Sequence, residues 1–168
     1  MRTCAVVLAA LLLSGCSLQQ DVSTASPSGR VGAPAPALRG STLDGGSIRA
    51  DYSSASTVLV FWAAWCGPCR SEQPGLNRIA RDYQARGVRL IGIDVLDHDR
   101  ALAVAFLHEF NVPYPSVYDG SGSLTAAFEV DYPPTILLVD RRGMVVARYP
   151  GEASESQLRT LINQRLLV

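Results

Sequence analysis

Two cysteines separated by two residues, Cys66 and Cys69, are the side chains in this sequence best suited to chemistry. Oxidised, such a pair closes a very small ring. In the first turn of a helix both sulfurs lie on one face, three positions apart. Unpaired backbone N–H groups and the positive end of the helix dipole stabilise a thiolate at that end. Cys66, at or just before the helix start, is therefore expected to have a lowered pKa and to act as nucleophile and leaving group. Cys69, one turn inside and shielded, is expected to be the resolving thiol. Pro68 suits a first helical turn, where its missing N–H costs nothing. Gly67 leaves room for a partner chain to approach, and Trp65 would flank an exposed sulfur. The alternative is a structural bridge. A loop this short constrains the unfolded chain little, so it would stabilise poorly.

The remaining cysteines narrow the chemistry. There are four in all: Cys4, Cys16, Cys66 and Cys69. Arg2 gives a short positive start, and Cys4 to Leu13 is an apolar run too short to span a bilayer but suited to a signal peptide. It ends in Leu13-Ser14-Gly15-Cys16, which resembles a bacterial lipoprotein signal, in which the Cys is lipidated and becomes the new N-terminus. Cys4 would leave with residues 1–15, and Cys16 would carry the lipid. Only Cys66 and Cys69 would then remain in the folded domain. A structural zinc site usually needs four ligands, and neither His98 nor His108 has the spacing to complete one. No metal or cofactor is expected. Outside the cytoplasm, a lone pair of this kind is redox-active or structural.

The elements that must position this pair are legible as patterns. The chain of 168 residues is 48% apolar, enough for one domain with a real core. Its net charge of +0, with every basic residue an Arg, offers no strong field for nucleic acid or an anionic surface. Residues 16–30, rich in Ser with Gln, Thr and Pro, read as a lipidated, flexible tether, and 31–168 as the domain. A hairpin turns at Asp44-Gly45-Gly46. Thr57 to Trp62 is a continuous β-branched and aromatic run, hence a buried strand, and Val88 to Val95 (VRLIGIDV) reads as a second. Between them, Leu76, Ile79, Ala80 and Tyr83 recur at helical spacing, ending at Gly87. Asp97-His98-Asp99 can cap a helix to about Phe110. Tyr114 to Tyr118 is a short strand, Leu124 to Val130 a short helix, and Thr135 to Val139 pairs with Met144 to Tyr149. A helix over Glu155 to Leu167 closes the chain. This order predicts an α/β sandwich on a mixed sheet, with Asp94, Asp97 and Asp99 as strand-end and cap residues and both histidines on the surface.

From Phe61 to Arg70 (FWAAWCGPCR) the sequence resembles the active site of the thioredoxin superfamily. The longer pattern, Trp65 through Leu76 with Glu72 and Pro74 in place, resembles its extracytoplasmic TlpA/ResA-like branch, as do Gly32 to Pro36 and Pro134 to Gly143. The resemblance covers about residues 31–165. It implies a thioredoxin fold with an added N-terminal hairpin and a central insertion near Asp97 to Tyr118. Pro134 matches the family's cis-proline, which faces the two cysteines and receives the partner peptide, with Pro133 and Thr135 beside it. Pro133 departs from the pattern, because it lacks the N–H usually offered to a bound peptide. Thioredoxin's buried acid corresponds to Val60 here, and Glu72 is the implied substitute, a base that shuttles the Cys69 proton.

The resemblance implies dithiol–disulfide exchange on exported proteins, by a monomeric lipoprotein outside the cytoplasm. A reductase of apocytochrome c or copper-assembly proteins, recharged by a membrane thiol–disulfide donor, is the leading expectation. A disulfide-introducing oxidase uses the same residues in reverse. A copper-binding assembly protein would need CxxxC and a late His, and a peroxidase a cysteine standing apart; this sequence has neither.

Overall fold

The computed structural model describes residues 26–167. The expected leader and Cys16 lie outside them. Seven strands and four helices follow in chain order: β1 (Arg39–Ser41), β2 (Ser47–Arg49), β3 (Ser56–Trp62), α1 (Gly67–Gln84), β4 (Val88–Val95), α2 (Arg100–Phe110), β5 (Ser116–Asp119), α3 (Ser123–Ala127), β6 (Thr135–Val139), β7 (Val145–Pro150) and α4 (Glu155–Arg165). β1 and β2 form the N-terminal hairpin. The other five make one mixed sheet in the order β5-β4-β3-β6-β7, parallel across β3, β4 and β5 and antiparallel across β6 and β7.

β3 and β6, the middle strands, are buried along their whole length, as expected of runs that alternate nothing and cover both faces with apolar side chains. Their side chains feed two cores. Val58, Val60, Trp62, Leu90, Ile136 and Leu138 pack on one face with Leu76, Ile79 and Tyr83 of α1, Phe106 of α2, and Leu158 and Ile162 of α4. Leu59, Phe61, Ile91, Ile93, Leu137 and Val139 pack on the other with Leu124 and Phe128. The cysteines belong to the first core.

Register fixes which end of the sheet holds the site. Trp62 pairs with Asp94 on β4, and Phe61 pairs with Thr135 on β6. The turn that leaves β3 for Cys66, the end of β4 and the Pro133–Pro134 entry to β6 therefore meet at one edge. Gly92 permits a close approach there, since a Cβ on it would lie 2.8 Å from the Trp62 indole nitrogen and 2.2 Å from Ser116 Oγ. Trp62 in turn stacks on Phe106 with centroids 4.4 Å apart.

The packed body begins ahead of residue 31. Ser28 is buried and its N–H donates to Pro34 O, and Arg148 donates to the carbonyls of both Gly29 and Phe128. Ser28 and Gly29 pack on the domain, because Pro34 O and Arg148 give the Ser28 N–H and the Gly29 carbonyl partners that a Ser-rich composition does not reveal.

Candidate active site

Cys66 is the N-cap residue of α1, with extended backbone (φ −77°, ψ 105°), and its sulfur accepts from the backbone N–H of Cys69 at 3.2 Å. Cys66 N–H donates to Ala63 O, which closes the turn between β3 and the helix. Pro68 occupies the first turn, where no helical partner for its nitrogen exists. No acidic residue lies in that turn, so the positive end of the helix is left for the cysteine. The two sulfurs are bonded at 2.00 Å, with Cα atoms 5.3 Å apart.

Cys69 is 1% exposed, as expected, but Cys66 is only 3% exposed. The expected exposed sulfur is thus corrected for the disulfide form. Turning toward Cys69 draws Cys66 into the first core, while Trp65 beside it is 59% exposed. The Trp65 indole N–H donates to Leu96 O at 3.3 Å. Nothing lies within 4 Å of a Cβ placed on Gly67, so the space beside the pair is open. Tyr132 and Leu96 are further exposed apolar residues of this end of the sheet.

The peptide between Pro133 and Pro134 is cis. Both prolines and Thr135 are buried; Thr135 Oγ1 donates to Tyr132 O, and Pro134 O accepts from Gly151 N–H at 2.8 Å. The loop of Gly151 also reaches the helix that bears the cysteines. Ala153 N–H donates to Glu72 Oε2 at 3.0 Å. Glu72 is buried, with Oε1 unpartnered among the described residues. Burial is the main cause that pushes its carboxyl up to about 7; the Ala153 bond opposes this and the charge of Glu152 adds to it. Beyond Glu72, Pro74 interrupts the helix ladder. Gln73 bonds Asn77 and Tyr114, and Asn77 bonds Phe110 O, tying α1 to the inserted α2–β5 segment. Arg70 does the same through Glu109 and the Phe110 ring.

Asp99 caps α2 as expected, accepting from Ala101 N–H. Asp94 stands at the end of β4, as expected of a strand-end residue, and Asp97 just beyond it. Both are buried, and Asp97 Oδ2 accepts from Ala64 N–H at 2.7 Å, two residues before Cys66. The sequence signal was the acid at the end of an otherwise apolar run. His98 and His108 are exposed, as expected.

This arrangement, a helix-capping sulfur bonded to a buried second sulfur with a buried carboxyl one helical turn further on, can pass a disulfide to and from another molecule. Comparison with known proteins agrees. The AhpC/TSA family profile matches residues 31–148. The thiol-disulfide oxidoreductase ResA of Bacillus anthracis is 30% identical over 156 residues, covering 90% of each chain. The thiol:disulfide interchange protein DsbE of Yersinia pestis is 33% identical over 133 residues, 74% of this chain and 66% of that one. Among solved structures, a thioredoxin-family thiol:disulfide interchange protein from Chlorobium tepidum superposes with a TM-score of 0.72 at 25% identity, covering 84% of this chain and 97% of that one. A DsbF homologue from Corynebacterium diphtheriae gives 0.70 at 28% identity, covering 79% and 86%. The chain belongs to the AhpC/TSA family of the thioredoxin superfamily, in its ResA/DsbE-like branch, and is a protein thiol–disulfide oxidoreductase.

Proposed function

We propose that this oxidoreductase reduces disulfides in exported proteins, with Cys66 as nucleophile and Cys69 as resolving thiol. The observation that carries the assignment of roles is the N-cap position of Cys66, its sulfur facing the Cys69 N–H at the uncompensated positive end of α1. The Cys66 thiolate attacks one sulfur of the partner's disulfide. That S–S bond breaks, a Cys66–partner bond forms, and the released partner sulfur takes a proton. Glu72, as carboxylate, accepts the proton of the Cys69 thiol. The Cys69 thiolate then attacks Cys66, and the second partner sulfur leaves and is protonated. The partner gains two electrons and two protons, and Cys66–Cys69 becomes a disulfide. A membrane dithiol donor returns the pair to the reduced state.

The Pro133–Pro134–Thr135 segment, with Trp65, Gly67 and Pro68, forms the surround in which the partner peptide docks. Pro133 offers no N–H, so docking relies on fewer main-chain bonds than an ordinary residue there would allow. The resemblance to the TlpA/ResA-like branch supports apocytochrome c or copper-assembly proteins as partners. Residues 1–15 are removed as a signal peptide, and lipidated Cys16 anchors a monomer outside the cytoplasm. Several acyl chains on one residue suffice for stable attachment.

The Cys66–Cys69 reduction potential against glutathione tests the direction. A value near thioredoxin's, about −270 mV, is expected; one near DsbA's, about −120 mV, would make the protein an oxidase.

A further inference from the structure

Two carboxyls behind the active-site turn have no assigned part in the exchange. Asp94 is 1% exposed, and neither of its oxygens has a donor among the described residues. It sits on β4 between Trp62 of β3 and Tyr118 of β5, in register with both. An isolated carboxylate at such a place would be a buried charge with no compensation. Asp97, three residues on in the chain, is buried as well and is the first side chain to act on the Asp94 carboxyl, as hydrogen-bond partner and as charge. Asp97 already accepts from Ala64 N–H at 2.7 Å through Oδ2.

The segment Leu96–Asp97 holds the approach to the disulfide at two points. Asp97 holds the Ala64 amide, and Leu96 O holds the Trp65 indole. Its own geometry is fixed by Tyr118, whose hydroxyl donates to Asp97 O at 3.1 Å, and by Leu96 in the left-handed region at φ 59°. One turn residue later, Cys66 N–H closes on Ala63 O.

We propose that Asp94 and Asp97 share one proton and act as a positioning pair for the active-site turn. The Asp94 carboxylic acid donates to the Asp97 carboxylate, which is thereby held on the Ala64 amide. Neither carboxyl touches a reacting sulfur. Their effect on exchange passes through the placement of Ala64, Trp65 and Cys66.

The surroundings favour one shared proton. Asp119, from the end of β5, also acts on Asp94 through its charge, but its carboxylate has its own donors in Leu124 N–H, Thr125 N–H and Thr125 Oγ1. Arg100 lies over the Tyr118 ring and donates to Thr42 O. Trp62 from β3, stacked on Phe106 of α2, brings no charge. None of the ion pairs among the described residues involves Asp94, Asp97 or Asp119. Burial first, then the bond to Asp97 and the charges of Asp97 and Asp119, push the Asp94 carboxyl up to about 9. Above that pH the two buried carboxylates repel and the grip on Ala64 is lost. Exchange by Cys66 then falls, although its thiolate fraction does not.

The test is a pH titration of the full chain by nitrogen-15 NMR in the disulfide form, in which neither sulfur titrates. The Ala64 amide and the Trp65 indole N–H should move together with a midpoint near about 9. In the reduced form, the rate of exchange with a model disulfide should drop about tenfold above the same midpoint, the scale of one lost charge-assisted hydrogen bond. Asp94→Ala should show the low rate already at neutral pH. Asp94→Asn, which keeps a donor toward Asp97 but cannot ionise, should restore the rate and abolish the alkaline drop. Wild-type Ala64 and Trp65 resonances that stay still across this range would overturn the proposal without any variant. So would an Asp94→Asn protein that keeps the wild-type alkaline transition.

Discussion

Glu72, one helical turn beyond Cys69, accepts the backbone N–H of Ala153 at 3.0 Å and so joins the helix of the cysteines to the loop that also binds Pro134 O. One backbone donor is too little to hold a buried carboxylate ionised, which is why its carboxyl sits near about 7. A group poised there can take and return a proton at neutral pH. With Glu72 in its proposed role as base, resolution by Cys69 should quicken as pH rises through about 7. Glu72→Gln should lose that rise and slow resolution by about 10²-fold, with attack by Cys66 less affected. Stopped-flow exchange with a model disulfide over a range of pH separates the two steps. Unchanged resolution would make Glu72 a structural tie only.

The same displacement makes stability depend on pH with a definite sign. The folded Glu72 holds its proton above the ordinary 4.5, so stability is full below 4.5 and is lost as pH rises through about 7. Asp94, raised from 3.8 to about 9, continues the loss to about 9. The loss from Glu72 alone should be on the order of 1–3 kcal/mol. Urea midpoints of the disulfide form, measured across this range, should fall with pH. In Glu72→Gln they should be flatter between 4.5 and about 7. A rising midpoint would contradict both burials.

How much of this was legible depended on whether the signal was local. The runs Val58–Trp62 and Ile136–Val139 named themselves as buried strands, because their apolar side chains cover both faces without a break. The cap at Cys66 was equally local, since Pro68 and the following periodicity mark a helix start. The carboxyls were different. Glu72 depends on Ala153, 81 residues away, and Asp97 on Ala64, 33 residues away. An acid at the end of an apolar strand reads as a terminus unless the partner is known. Ser28 was hidden for the same reason, its bond to Pro34 O and its neighbour's bond to Arg148 being invisible in a Ser-rich stretch.

Limited iodoacetamide labelling of the reduced protein, mapped by mass, should modify Cys66 well ahead of Cys69. Once reduced, the Cys66 sulfur at the helix N-cap should be able to turn toward the open space beside Gly67, with Cys69 retained in the first core. Preferential labelling of Cys69 would reverse the two roles.

Cys16→Ala should release the protein from membranes after a salt wash and leave its exchange rate in vitro unchanged, because the expected lipid site lies fifty residues ahead of Cys66 in the sequence. Retention on the membrane would show a different anchor. Fractionation followed by an exchange assay reads both outcomes.

The most direct measurement is trapping. Cys69→Ser removes the only other thiol among the described residues, the one bonded to Cys66 and proposed to resolve a mixed disulfide there. Cells expressing this variant should accumulate covalent adducts with exported proteins, reversible by dithiothreitol and mapped by mass to Cys66. A folded Cys69→Ser protein that forms no adduct at Cys66 would contradict exchange through this pair.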